Sequence, residues 1–199
     1  MNPFDPGYFK DAELGGFGFA RLGQNVQIAR NCTIIGIERI EIGSDVRIDG
    51  PTTIVVGKAS HLVLGRFIHI SGGCHISAAE DVEMGDFSGL SQGVRIFSAT
   101  DDYSGESLTN PTVPAQFKRV RAAPVSIGRH VIIGTGSVVL PGANIGEGSA
   151  VGALSLVNRP IGAWGIFAGN PVKRIKERSK ALLQKEDALF QSMGLPLRR

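Results

Sequence analysis

Aliphatic side chains recur at every sixth residue through two long stretches of the chain, and this period restricts what it can fold into more than any other feature. They fall at Leu22, Ile28, Ile34, Ile42, Ile48, Ile54, Leu64, Ile70, Ile76, Met84, Leu90 and Ile96. The series resumes at Ile127, Ile133, Val139, Ile145, Val151 and Val157. Ile, Leu, Val and Met make up 52 of the 199 residues, so eighteen hits in succession are not chance. A helical period of 3.6 fails at nearly every hexad. Thirteen of the seventeen steps are six residues, and the exceptions of 8, 10, 8 and 31 each follow a third hexad. Extra residues that always enter at one point in a cycle of three imply a three-sided coil with one outward corner. Stacked coils then share a continuous core that no single coil could bury.

The residue after the aliphatic is often glycine, at 23, 43, 65, 85, 128, 134, 146 and 152, as expected at tight turns. The fifth position of the hexad is mostly small or β-branched, including Val26, Cys32, Thr52, Cys74, Ser88, Val94, Ser137, Ser149 and Ser155. A second inward residue in a narrow prism must be small. Six coils at the inter-strand spacing give a prism roughly 29 Å tall. The expected division is an N-terminal cap over 1–21, a β-helix over 22–163 and an exit segment with a helix over 164–199. Residues 97–124 leave the outward corner as a 28-residue excursion, a length more often functional than not. Val172, Ile175, Leu182, Leu183 and Leu189 on a Lys/Glu-rich background predict a C-terminal amphipathic helix ending near Met193-Gly194.

The repeat, with Ile133-Gly134-Thr135-Gly136-Ser137-Val138-Val139-Leu140-Pro141-Gly142, Val151-Gly152-Ala153 and Ala168-Gly169-Asn170-Pro171-Val172-Lys173-Arg174-Ile175, resembles the hexapeptide-repeat acyltransferases. The resemblance covers residues 22–178 and is nearest to the sugar acetyltransferases of the galactoside, maltose and surface-polysaccharide type. It implies an all-β fold, a left-handed parallel β-helix of about six triangular coils; spacing alone does not fix the hand. It implies a homotrimer that binds acetyl-CoA between adjacent prisms, with cofactor contacts near Thr135, Ala153, Asn158, Lys173 and Lys176. Independently, Lys173, Arg174, Lys176, Arg178 and Lys180 place five cations within eight residues, suited to phosphates. Taken without the fold, the same run reads as a solvated helix face paired with Glu177 and Glu186.

Acyl transfer to a hydroxyl or amine calls for a proton acceptor and donors for the developing oxyanion. Galactoside-type relatives carry their general-base histidine in the long loop, near Asp101 or Asp102 here, but this loop contains no histidine. The base is then expected on the prism wall. His69 is the first choice and His75 the second, both at the sixth position of a hexad; His61 and His130 are the remaining histidines. The adjacent Asp101 and Asp102 could orient a histidine of a neighbouring subunit, hold the acceptor sugar, or cap a turn.

Composition bounds the rest. Forty-two per cent hydrophobic residues and a net charge of +3 exclude a disordered chain, and no apolar run is long enough for a membrane span. Met1–Pro6 shows no export signal, which predicts a cytoplasmic protein. Cys32 and Cys74 are too few for a disulfide scaffold or a zinc site, so no metal is expected. No nucleotide phosphate-loop motif accompanies the glycine-rich turns, and no nucleic-acid partner is expected. The reading is an acetyl-CoA-dependent transferase acting on a sugar hydroxyl or amine of a polysaccharide or nucleotide-sugar precursor. A non-sugar acceptor, a carbonic-anhydrase-like prism and a non-enzymatic scaffold are the alternatives.

Overall fold

In the computed structural model, residues 4–196 are described; the first three and last three residues, which fall in the expected cap and exit segments, lie outside them. The chain winds through three parallel sheets, called walls here. The first wall holds 21–22, 40–42, 62–64, 82–84, 125–127 and 144–145; the third holds 33–35, 53–56, 75–78, 95–97, 138–139 and 156–157. The second holds 26–29, 46–48, 69–70, 89–90, 132–133, 150–151 and 165–168, with antiparallel strands Tyr8–Phe9 and Lys173–Glu177 at its ends.

The hexad residues stack in register. Ile28, Ile48, Ile70, Leu90, Ile133 and Val151 form one column, and Ile34, Ile54, Ile76, Ile96, Val139 and Val157 another. Sixteen of the eighteen are buried; Leu22 and Ile34 are half-buried where the first coil ends the stack. The inward serines staple one coil to the next. Ser137 Oγ donates to the Gly152 carbonyl at 3.0 Å, and Ser149 Oγ to that of Gly162 at 2.7 Å. Hydrogen-bonded in this way, a hydroxyl is tolerated in an apolar prism.

The walls run one turn further than the hexads suggested. Ile161 bridges to Ile145, Phe167 pairs with Val151, and both are buried with Val172, giving about seven turns. A four-residue step from Val157 and an aromatic in the aliphatic slot hid this turn. The exit segment also differs from expectation. Lys173–Glu177 is a strand, and the helix begins only at Leu182, ending at Ser192.

The glycines after the aliphatic residues serve close stacking rather than turn geometry. A Cβ on Gly134 would lie 2.5 Å from the Ala153 nitrogen, and one on Gly85 2.7 Å from that of Arg129. The left-handed residue comes two positions later at the first corner, between walls one and two: Asn25, Asp45, Phe67, Phe87 and His130, with φ of 57, 62, 56, 60 and 59°. Non-glycine side chains reach this region only at some cost. Here Phe67 stacks on Phe87 at 4.6 Å and Phe87 on His130 at 5.0 Å, a ladder that offsets it.

Two appendages leave the prism. Ala99–Asp101 pairs antiparallel with Val120–Ala122, so the long excursion is a hairpin arm. The N-terminal cap carries a short helix, α1 (Asp11–Leu14), and the C-terminal helix, α2 (Leu182–Ser192), rests on the aromatic ladder through Phe190.

Candidate active site

Each coil turns from wall two to wall three at a second corner, and these corners stack into one line. Gly73 N donates to the Pro51 carbonyl, Gly93 N to Gly72, Gly136 N to Gln92, and Leu154 N to Thr135. Thr135 and Ala153 therefore lie one above the other, both exposed, on an uninterrupted stretch. Lys173 and Lys176 are exposed on the exit strand and, among the described residues, have no acidic partner; Arg174 is paired with Glu177. Asn158 is exposed but lies past wall three, off this line. Thr135, Ala153 and the two lysines thus offer backbone polar groups and cations to a long phosphorylated ligand.

On wall two, a hollow of about 320 Å³ opens beside the same corner. His69, Gly89 and Ile132 are consecutive rungs of that wall, and the missing side chain at Gly89 makes the depression. Ser71 and Ser91 line its corner side; Phe67, Phe87, Arg178 and Leu182 close the other. His69 is half in solvent, 52% exposed, and its Nε2 lies 2.8 Å from Asp49 Oδ2. Asp49 Oδ1 accepts from Tyr8 Oη and Arg47 Nε, each at 2.7 Å, and Arg47 Nη2 donates to Tyr8 Oη at 2.8 Å. Burial works against ionisation of Asp49, but the bonds from Tyr8, His69 and Arg47 outweigh it and hold its carboxyl below the usual aspartate value. The same contact, with burial, raises the Tyr8 phenol.

Asp49 carried no sequence signal. It is a single acid after an inward isoleucine, and only the pairing of Arg47 with His69 across the wall brings it to the histidine.

The hairpin arm forms a second hollow of about 420 Å³, lined by Thr100, Asp101, Asp102, Tyr103, Arg119, Val120 and Arg121. Its two carboxylates are not equivalent. Asp102 accepts from Ser104 N and Ser107 Oγ, both at 2.9 Å, and these bonds lower its pKa and close a turn. Asp101 receives only a 3.4 Å contact from Asn110 N and keeps most of its acceptor capacity. Within the described residues neither aspartate touches a histidine, and the two hollows share no residue.

His75 stands on wall three beside Arg95, its ring 5.5 Å from Phe97, away from the hollow. His130 is buried, with Nε2 2.8 Å from Glu186 Oε2; Glu186 also pairs with Arg129, which fastens α2 to the prism. Among the described residues, no group of three His, Cys, Asp or Glu side chains could hold a metal ion.

A parallel β-solenoid with a hairpin arm, a wall hollow and a cation-flanked corner line defines the class. The chain belongs to the hexapeptide-repeat β-helix acyltransferases, which take the acyl group from a CoA thioester. It is 37% identical over 185 residues to the dTDP-4-amino-4,6-dideoxy-D-glucose acyltransferase of Escherichia coli, covering 93% of this chain and 96% of that one. A variant of AntD, an N-acyltransferase from Bacillus cereus in complex with dTDP and coenzyme A, superimposes with a TM-score of 0.90 at 36% identity, over 94% of this chain and 100% of that one. AntD in complex with dTDP and 3-hydroxybutyryl-CoA does so with a TM-score of 0.85 at 34% identity, over 94% and 98%. No protein-family model matches the chain. No helix among the described residues is long and apolar enough to cross a membrane.

Proposed function

We propose that the protein transfers an acyl group from a CoA thioester to the amino group of a nucleotide-linked deoxyamino sugar, with dTDP-4-amino-4,6-dideoxyglucose as the first substrate to try. The observation that carries this is the likeness to an acyltransferase of that sugar over nearly the whole of both chains. The acyl group need not be acetyl, since AntD is also described with 3-hydroxybutyryl-CoA. In this reading Thr135 and Ala153 line the path of the pantetheine arm, Asn158 lies at its edge, and Lys173 and Lys176 meet its phosphates.

The active unit is a homotrimer in which the arm of one subunit reaches the wall of the next. Tyr103, Leu108, Phe117 and Val120 are exposed on the arm, a cost that a covering neighbour would remove. Asp101 then faces the His69 hollow across the interface and holds the acceptor amine, while Asp102 keeps the arm in shape. The neutral amine attacks the thioester carbonyl and a C–N bond forms. The C–S bond breaks, CoA leaves as its thiolate, and the proton passes from nitrogen through His69, oriented by Asp49, to that sulfur.

Incubation of the full-length protein with the amino sugar nucleotide and acetyl- or 3-hydroxybutyryl-CoA, followed by mass spectrometry, tests the reading. An amide product is expected. Turnover only with hydroxyl acceptors, or none with either thioester, would overturn it.

A further inference from the structure

The C-terminal helix turns one stripe to the prism, and an acid stands in the middle of it. Leu182, Glu186 and Phe190 follow at four-residue steps and so share one helix face; the first is half-buried and the other two are buried. Phe190 packs its ring 5.9 Å from Phe87 and 6.3 Å from Phe67. Glu186 Oε2 lies 2.8 Å from His130 Nε2, and its other oxygen accepts from Arg129. Leu182 stands at the far side of the His69 hollow.

We infer that Glu186 is a positioning residue for the acyl transfer: it fixes the register of α2 on the aromatic ladder and so holds Leu182 at the hollow. This rests on the hollow's being the place of transfer, as proposed above. Three observations carry it. First, the ladder is a nearly uniform track. Phe67, Phe87 and His130 stack at 4.6 and 5.0 Å, close to the helical pitch of about 5.4 Å. Apolar contact alone would seat α2 nearly as well one turn out of place. Of these three rungs only His130 has a ring that hydrogen-bonds, and Glu186 is the member of the stripe that can read it.

Second, a buried carboxylate is a weak adhesive. The loss of its hydration offsets most of the attraction to His130 and Arg129, and an apolar pair would hold the helix as firmly. What the polar contact supplies is a single register. Displaced by a turn, Glu186 would lie against a phenyl ring that offers no donor, a costly placement for a charge.

Third, Leu182 is held from two sides. Upstream, Arg178 Nη1 donates to the carbonyls of His130, Gly148 and Ser149 at 2.7, 3.1 and 3.1 Å. Ser179 and Lys180 then belong to neither strand nor helix, so Arg178 by itself does not set how α2 is seated. Glu186, one turn beyond Leu182, supplies the second hold.

The test replaces both partners together in the full-length protein. In His130→Phe/Glu186→Leu the ladder continues as phenyl rings against an apolar stripe, with a φ at residue 130 that Phe67 and Phe87 already adopt. That variant is expected to melt no lower than the wild type. Its kcat/KM for the amino sugar nucleotide is nevertheless expected to fall about tenfold, with the KM for acyl-CoA changed less than about twofold. Glu186→Gln, whose amide oxygen still accepts from His130, is expected to keep most of the activity. Leu182→Ala should lower kcat/KM by a similar factor to the double variant, and adding it to that variant should lower it no further, since both act through one side chain. Wild-type kcat/KM in the double variant, or losses that multiply, overturns the assignment. Register is also read without turnover. A crystal structure of the double variant is expected to show α2 shifted along the ladder with Leu182 off the hollow; α2 in its wild-type place overturns the assignment whatever the enzyme acylates. A shifted α2 in a protein whose wild type never acylates the amino sugar nucleotide counts against the functional reading and leaves the register role standing.

Discussion

Two aspartates one residue apart show how local bonding divides labour. Asp102 is committed to the turn at Ser104 and Ser107, while Asp101 retains open lone pairs. Asp101→Asn is therefore expected to lower kcat/KM for the amino sugar about 10²-fold with little change in the KM for acyl-CoA, measured by steady-state kinetics. His69→Asn should act on kcat more than on either KM. Equal, near-normal kcat in both variants would show that neither side chain assists the transfer. Asp49 gives a stability signature of its own. Its folded-state pKa is depressed, so the unfolded chain binds the proton more tightly. Its contribution is complete above the ordinary aspartate value and is lost as pH falls through the lowered folded value. Amide exchange at Tyr8 and Phe9 should accelerate over that acid window in the wild type, and Asp49→Asn should abolish the change.

Strands and helices of this protein are held by contacts between coils, which makes the stacking glycines sensitive. Gly134→Ala forces backbone apart and is expected to cost about 1–3 kcal/mol, whereas Gly162→Ala, with nothing within 4 Å, should leave the melting temperature unchanged. Glu186→Ala is expected to cost about 3 kcal/mol by urea titration, since it strands buried His130 and leaves Arg129 with the looser Glu147 pair at 3.8 Å. Its helix α2 should then become protease-sensitive first. The hexads made the three walls readable, because each aliphatic residue reports its own inward direction. They stopped at Val157, since Ile161 follows after four residues and Phe167 fills an aliphatic slot. Val172 and Ile175 on a Lys/Glu-rich background point to a helix that already covers Lys173–Glu177; pairing with the edge of wall two makes that segment a strand instead. Of the site, His69, Thr135 and Asp101 were legible as types at repeat or loop positions. Asp49, Tyr8 and Arg47 were not, because their cluster exists only through register between coils and one antiparallel N-terminal strand.

At the scale of the whole molecule, the prism is a rigid post and chemistry is arranged along one of its edges. Replacing residues 99–122 with a short turn should leave the melting transition nearly intact, because the arm contributes little to the core, while removing Asp101 and hence most acceptor turnover. Light scattering of the same variant would test the arm's part in the proposed trimer; a shift toward monomer relative to the wild type is expected.

Every irregularity in the repeat, from the two-residue extension before Ile42 to the arm itself, enters at the corner between walls three and one. The other two corners admit none up to Val157, and backbone bonds such as Phe67 N to the Ser44 carbonyl and Gly93 N to the Gly72 carbonyl tie each coil there to the next. A fold so partitioned can be edited like a socket. An arm of another length or chemistry can be spliced between Ser98 and Ala123 without disturbing a single wall hydrogen bond beyond the splice. On the proposed function, an exchanged arm is then expected to change the acceptor taken while Thr135, Ala153, Lys173 and Lys176 stay where the walls hold them.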